Sequence, residues 1–372
     1  MTESQTTPSG AVVAEVDLFA PLTLGRLTLP NRVVMAPLTR RRATAAGVPT
    51  AAMARYYADR ASTGLIVAEG TYPSERAKTY PGQPGIATDE QAAGWRAVTD
   101  AVHERGGRIV LQVMHGGRVA HLPDAAERDV VAPSPIAVEG ELRLPGQAPR
   151  PFVTPRELRT EEMPEVVEEL VAASRRAIDA GFDGVELHGA NGYLLNQFLA
   201  PGTNRRTDAY GGSPENRARL VVEVVGAVAD AVGADRTGLR ISPRQARSGL
   251  DETHAPEILE TYGALVDQIA GLGPAYLSVL SDHPACDLVQ ELRSRFGGPL
   301  LVNNGFEVVT TREIAAALLA DDLGDAVVVG RAALANPDLV RRWREGRPLN
   351  VPDQETFYVG GEHGYNDYPF LD

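Results

Sequence analysis

The sequence predicts an α/β chain folded as a (β/α)8 TIM barrel, with an N-terminal β-hairpin cap and a long lid or small subdomain after the third strand. Short apolar runs alternate with helix-period segments along the 372 residues, the pattern of parallel βαβ units with right-handed crossovers. Eight such units in roughly 330 residues suit a barrel. A doubly wound sheet would need fewer strands and a Gly-rich first turn, and the first turn here, APLTRRRAT, lacks that fingerprint.

Residues 1–16 are polar, small and bear Pro and Gly, which predicts a disordered tail ahead of a single domain over 17–372. LTLGRLTLP, Leu22 to Pro30, reads as two short apolar segments about a Gly-Arg turn, a hairpin suited to plug the barrel bottom. Strands are expected at Val33–Ala36, Leu65–Glu69, Arg108–Val113, Gly184–Leu187, Thr237–Ile241, Ala275–Val279, Leu300–Asn303 and Ala326–Val329. Helical periodicity separates them at Ala51–Ser62, Glu90–Arg105, Met163–Ala180, Pro214–Val232, Pro256–Ala270, Leu288–Phe296 and Thr311–Leu319, with a last helix near Asp338–Glu345. The connection from about 115 to 160 is too long for a plain barrel loop and is rich in Pro and Gly, which predicts a lid over the active-site face.

Composition narrows the function classes. A net charge of -13 argues against sequence-independent nucleic-acid binding. One cysteine, Cys286, excludes intramolecular disulfides, Cys-based zinc sites and a cluster held by four thiolates. Lys78 is the only lysine, so Schiff-base chemistry would have to fall on it. No apolar stretch approaches the roughly 18 to 20 residues of a membrane span, and MTESQTTPSG does not read as a signal peptide, so a cytoplasmic protein is expected.

The chemistry centres on GFDGVELHGANGY, Gly181 to Tyr193. It reads as a helix-ending glycine, a buried strand and then His188, Asn191 and Tyr193 at the strand's carboxyl end, where barrels bind ligands. His188 and Asn191 can donate to one oxygen, and Tyr193 carries a proton of high pKa suited to a forming carbanion. The trio suits reduction of an activated alkene. The bland alternative is a core histidine with a capping Asn and an interfacial Tyr.

Other strand ends supply polar handles: Pro37, Leu38 and Thr39 after the first, Glu69 and Gly70 after the second, Gln112 toward Met114 on the third, and Arg240 on the fifth. A hydroxyl, an amide and a fixed cation match the edge of an isoalloxazine ring, with Arg240 at the edge that becomes anionic on reduction. An interior salt bridge is the other reading of Arg240. VNNGFE places Asn304, Gly305 and Phe306 after strand seven, and VVVGRAALANPD places Gly330 and Arg331 after strand eight. Both lead into helical turns, and barrels hold phosphate there. Together they imply FMN rather than a dinucleotide on a Rossmann unit.

At this point the motifs carry a family likeness. HGANGYLLNQFL, then NRRTDAYGGSPENRARL, LRISP and GRAALANPDL follow in an order and spacing that resemble the old yellow enzyme family of FMN-dependent ene-reductases. The likeness runs from LFAPLTLGRLTLPNRVVMAPLTR to TFYVGGEHGYNDYP. It implies that Thr39, Gln112 and Arg240 bond the flavin, that Pro37, Leu38 and Gly70 line its ring, and that Gly305, Phe306, Gly330 and Arg331 hold its phosphate. Phe357 and Tyr358 match an aromatic pair of the C-terminal segment that closes beside the flavin. By the same likeness His188 and Asn191 grip the substrate oxygen, Tyr193 gives the proton, and Tyr80 and Met114 line the pocket. NADPH or NADH then reduces the flavin, and an enone-type alkene takes the hydride in a ping-pong cycle. The partners implied are these small molecules, with a monomer or homodimer as the working unit.

The sequence departs from the family at the substrate mouth. Arg247 stands where similar enzymes carry an apolar or aromatic residue, the loop LSDHPACD is short, and Met114 sits where some relatives have Trp. Arg244 or Arg247 therefore either overhangs the pocket and meets an acidic substrate group or is a solvated loop residue. A flavin-dependent isomerase or a tailoring enzyme on the same scaffold is the alternative function, whereas a reductase needing an iron–sulfur cluster is excluded in its usual form by the single cysteine.

Overall fold

Short strands rich in Val, Leu and Ile wind the chain into a closed barrel in the computed structural model, which describes residues 17–120, 129–142, 148–244, 247–250, 252, 254–359 and 361–372. The tail expected over 1–16 lies outside the described residues. A hairpin comes first, β1 (Leu22–Leu24) antiparallel to β2 (Leu27–Leu29). Barrel strands β3 (Val33–Met35), β4 (Leu65–Thr71) and β5 (Ile109–Val113) follow. After β5 come four two-residue strands, β6 (Val131–Ala132), β7 (Glu141–Leu142), β8 (Arg150–Pro151) and β9 (Arg156–Glu157). The barrel then resumes with β10 (Gly184–Gly189), β11 (Thr237–Ile241), β12 (Tyr276–Leu280), β13 (Leu300–Asn303) and β14 (Ala326–Val329). The eight barrel strands pair in parallel in chain order, and β14 closes on β3 through Val328 opposite Val34.

The strand period of two sorts the side chains into two cores. Val34, Val67, Val110, Leu301 and Val328 meet Leu24 and Leu29 of the hairpin in one cluster, so the hairpin closes the lower end of the barrel interior. Their neighbours Val33, Met35, Ile66, Leu111 and Leu239 join the helix faces in a larger one. Each such side chain stabilises the fold by about 1.5–3 kcal/mol on burial.

The helices are α1 (Ala51–Asp59), α2 (Asp89–Glu104), α3 (Met163–Asp179), α4 (Leu194–Leu199), α5 (Pro214–Val232), α6 (Ala255–Ala270), α7 (Asp287–Phe296), α8 (Arg312–Ala320), α9 (Arg331–Ala335) and α10 (Leu339–Glu345). Their starts follow local chemistry. Thr88 and Gln91 form a reciprocal capping box at α2, and Ser213 caps α5 with Pro214 in its first turn. Gly181, two residues past α3, takes φ 93°, and a Cβ there would meet Thr99 Oγ1 at 2.7 Å, so the helix-to-strand turn into β10 requires glycine.

Three expectations are corrected. Strand β10 runs on through Gly189, and His188 pairs opposite Arg240 in the ladder instead of following the strand. Likewise β4 extends to Thr71, so Gly70 lies within it. Gly305 and Phe306 sit in a turn rather than at a helix start, because Thr311 caps the next helix, α8, only later. The helical turn expected after Gly330 is α9, whereas α4 had no expectation of its own and is short enough to pass for loop in a periodicity reading.

Between β5 and α3 the chain forms two small sheets, β6 beside β9 and β7 beside β8. Residues 121–128 and 143–147 of this segment lie outside the described residues. Buried Arg118 donates to the carbonyls of Ile136, Ser248 and Gly249 at 3.1, 2.7 and 3.0 Å, tying the segment to the loop after β11.

Candidate active site

The carboxyl ends of the strands surround a cavity of about 400 Å³. Pro37, Leu38, Thr39, Asn191, Arg240, Gly305, Phe306, Gly330, Arg331, Phe357 and Tyr358 line it together, and among the described residues no acid lines it. These positions come from five barrel strands and from the far C-terminus, so the fold brings together what the sequence separates.

The C-terminal pair arrives by a clamp that sequence reasoning missed. After β3, Arg40 donates to Phe357 O at 3.0 Å and to Gly364 O at 2.7 Å, and Arg42 donates to Thr356 O at 2.8 Å and Phe357 O at 3.0 Å. Tyr365 stacks on Tyr56 with centroids 4.1 Å apart, and Arg40 lies over both rings. The signal was present as the run Arg40-Arg41-Arg42, but its partners lie more than three hundred residues away.

On the floor of the site, Gln112 donates to Glu186 Oε1 at 2.8 Å, and Arg240 donates to Ser278 Oγ at 3.2 Å. Burial raises the Glu186 carboxyl, and the Arg240 charge opposes that rise. Glu186 was not anticipated; it lies inside GVELHG, two residues before His188 on the same strand. Arg240 Nε has no hydrogen-bond partner, so the buried guanidinium is not fully engaged by the protein. The salt-bridge reading therefore accounts for part of its environment only. Gly70 packs beneath Met114, where a Cβ would lie 2.6 Å from the sulfur, and Gln83 donates to its carbonyl at 2.8 Å.

The His188–Tyr193 segment is held from several sides. Asn191 takes φ 58°, a left-handed setting, with its backbone N–H donating to Ser242 Oγ at 2.9 Å. Asn196 Oδ1 accepts the Gly192 N–H at 3.0 Å, and Gln197 donates to Gly192 O at 2.7 Å. His188 Nδ1 and Asn191 Oδ1 are both buried without a partner. Burial first, and the Arg240 charge second, push the His188 imidazole well below its ordinary range, so it is neutral and can donate from one ring nitrogen. Tyr193 lies beside it with ring centroids 5.1 Å apart, and its hydroxyl is 2.8 Å from that of Tyr80.

At the opposite end, Arg331 donates to Phe306 O at 2.5 Å, which joins the loops after β13 and β14. Asn304 is not part of the cavity lining; its Oδ1 accepts from Thr310 at 2.6 Å. Arg244, with φ 68°, is exposed, and its backbone N–H donates to Glu252 at 3.0 Å. The Arg247 side chain lies outside the described parts of the structure.

The model of the NADH:flavin oxidoreductase / NADH oxidase family matches residues 17–350. A probable flavin mononucleotide-dependent alkene reductase of Leishmania infantum is 44% identical, covering 95% of this chain and 97% of its own. The 12-oxophytodienoate reductase 1 of Oryza sativa subsp. japonica is 38% identical, with 97% and 95% covered. Among solved structures, morphinone reductase in complex with tetrahydroNAD superposes with a TM-score of 0.88 at 46% identity, over 95% of this chain and 98% of that one. The old yellow enzyme homologue from Zymomonas mobilis superposes with a TM-score of 0.89 at 38% identity, over 96% and 100%. With a family model spanning nearly the whole barrel and relatives alike from end to end, the chain belongs to the NADH:flavin oxidoreductase / NADH oxidase family.

Proposed function

We infer that the protein is an FMN-dependent ene-reductase, which uses NADPH or NADH to reduce the C=C bond of α,β-unsaturated carbonyl compounds and related activated alkenes. The observation that carries this reading is the pair of buried polar atoms without a partner, on the His188 imidazole and the Asn191 amide, beside the Tyr193 phenol at the end of the barrel. The residues present also fit the cofactor. The cavity has cationic Arg240 and Arg331 and, among the described residues, no acid in its lining, and the buried Arg240 Nε has no hydrogen-bond partner within the protein.

FMN, when bound, supplies a hydride that originates on the nicotinamide and ends on the alkene Cβ. Arg240, Gln112 and Thr39 would hold its ring edge, Pro37, Leu38 and Gly70 its ring, and Gly305, Phe306, Gly330 and Arg331 its phosphate. Phe357 and Tyr358 close the side of the site. The neutral His188 imidazole and the Asn191 amide each donate to the substrate oxygen as enolate charge develops there. A fixed donor of this kind is worth about 3 kcal/mol. Tyr193 then gives its proton to Cα, a transfer that contributes roughly 10²- to 10⁴-fold. The segment over about 115–160 serves as the lid of this site, anchored through Arg118 to the loop after β11. The enzyme works in the cytoplasm, as a monomer or homodimer, on small molecules alone. No helix of the described residues is long and apolar enough to cross a membrane.

Purified protein is expected to be yellow and to release FMN, not FAD, on denaturation. His188→Ala with Asn191→Ala should keep FMN and weaken binding of phenolic ligands, read as the loss of their spectral shift on titration. A colourless protein that FMN cannot reconstitute would overturn the reading.

A further inference from the structure

The three arginines after β3 are used differently. Arg40 and Arg42 hold the C-terminal segment, whereas Arg41 faces the proton donor. Its backbone takes φ 57°, uncommon for a residue with a side chain. Its guanidinium carbon lies 4.6 Å from the Tyr80 ring centroid and 5.5 Å from that of Tyr358. Arg41 Nε is buried without a hydrogen-bond partner, and among the described residues no carboxylate pairs with this guanidinium. Glu69 accepts the Arg41 backbone N–H at 3.4 Å and is otherwise engaged by Arg40 N–H and Tyr57. A half-buried cation without an anion is costly, and rings alone offset part of that cost. The Tyr80 ring it covers ends in a hydroxyl 2.8 Å from the Tyr193 hydroxyl.

We propose that Arg41 and Tyr80 complete the proton-delivery unit of Tyr193, Tyr80 by sharing the charge left on the donor phenol and Arg41 by offsetting that charge. The proposal rests on the reading of Tyr193 as the proton donor. As the enolate electron pair forms the Cα–H bond, the Tyr193 O–H bond breaks and its pair stays on the Tyr193 oxygen. The Tyr80 proton shifts across the 2.8 Å hydrogen bond to Tyr193, which leaves the negative charge on the ring that Arg41 covers. Water returns the proton to Tyr80. Both residues act through Tyr193 and not on the substrate. The other charged or titratable groups facing the unit are His188, Tyr358 and, behind His188, Arg240. His188 is neutral, so Arg41 is the cation best placed to serve the phenol pair.

The test follows the oxidative half-reaction of the FMN-loaded enzyme with cyclohexenone as pH is raised, in the parent, Arg41→Leu, Arg41→Lys, Tyr80→Phe and Tyr193→Phe. Reduction by NADPH serves as the internal measure of a folded, loaded site. Removing the cation weakens the phenol as an acid. The plateau rate relative to flavin reduction should therefore fall roughly tenfold in Arg41→Leu, and the basic limb should move up by about one pH unit. Arg41→Lys should restore both. An ultraviolet difference titration against Tyr193→Phe should show the same upward move without turnover. If Tyr193→Phe is slow while Arg41→Leu and Tyr80→Phe keep the parent rate and limb, the unit is wrong and the donor stands. If Tyr193→Phe itself keeps the parent rate, the donor assignment fails and the unit with it.

Discussion

At the scale of single residues, His188, Asn191 and Tyr193 were legible because a polar trio after an apolar run has few structural uses, and Gly181 because a helix end calls for a left-handed residue. Glu186 and Arg41 were not, and Tyr80 was read only as pocket lining, since their significance lies in contacts to residues on other strands and loops. Titration separates these buried groups. His188 is held neutral by burial and Arg240, and His115 is pushed down to about 3 by burial and Arg76. The unfolded chain binds protons at both histidines near pH 6.5 while the native one does not, so stability they contribute is present above that pH and is lost as pH falls below it. Glu252 has the opposite sign. Burial pushes its carboxyl up to about 7 despite hydrogen bonds from Tyr262 at 2.8 Å and from the Arg244 N–H at 3.0 Å. The native state then holds a proton that the unfolded chain releases near pH 4.3, and stability falls as pH rises from there to about 7. Thermal melts across that window are expected to show a smaller loss in Glu252→Gln than in the parent. An unchanged pH slope in the variant would place the titration elsewhere.

At the scale of elements, helix and strand positions followed from periodicity, and boundaries moved where tertiary hydrogen bonding extended a strand, as in β10 and β4. The C-terminal segment was placed beside the site by family likeness alone, because its position depends on the Arg40 and Arg42 clamp rather than on any regular pattern of its own. Arg40→Ala removes the donor to Gly364 O and one of the two donors to Phe357 O, and leaves Arg42 alone over the Tyr365 ring. A buried carbonyl left unpaired costs about 1–3 kcal/mol. The segment around Phe357 and Tyr358 should become the first site of limited proteolysis, and FMN should dissociate faster, read by fluorescence of the released flavin. Retention of both parent rates would mean that the segment is held without the clamp.

At the scale of the whole molecule, the barrel was legible because eight strands and their crossovers admit few topologies, and the hairpin because its leucines alternate with polar residues. Leu24 and Leu29 close the lower end of the barrel interior and are not in the cavity lining. Either one replaced by Ala should destabilise the fold by about 2–5 kcal/mol, seen as a lower thermal midpoint, while the reaction with cyclohexenone at moderate temperature stays near the parent rate. Loss of turnover in a variant that still melts cooperatively would contradict that separation of stability from chemistry. The central claim is that one site takes hydride from a nicotinamide and delivers it to an activated alkene. Its most direct measurement is anaerobic stopped-flow absorbance of the flavin band, with NADPH or NADH added first and cyclohexenone second. The account predicts that the band bleaches and then returns with formation of cyclohexanone, and that the return, not the bleaching, slows in Tyr193→Phe. Bleaching by nicotinamide with no return on addition of cyclohexenone or other activated alkenes would contradict it.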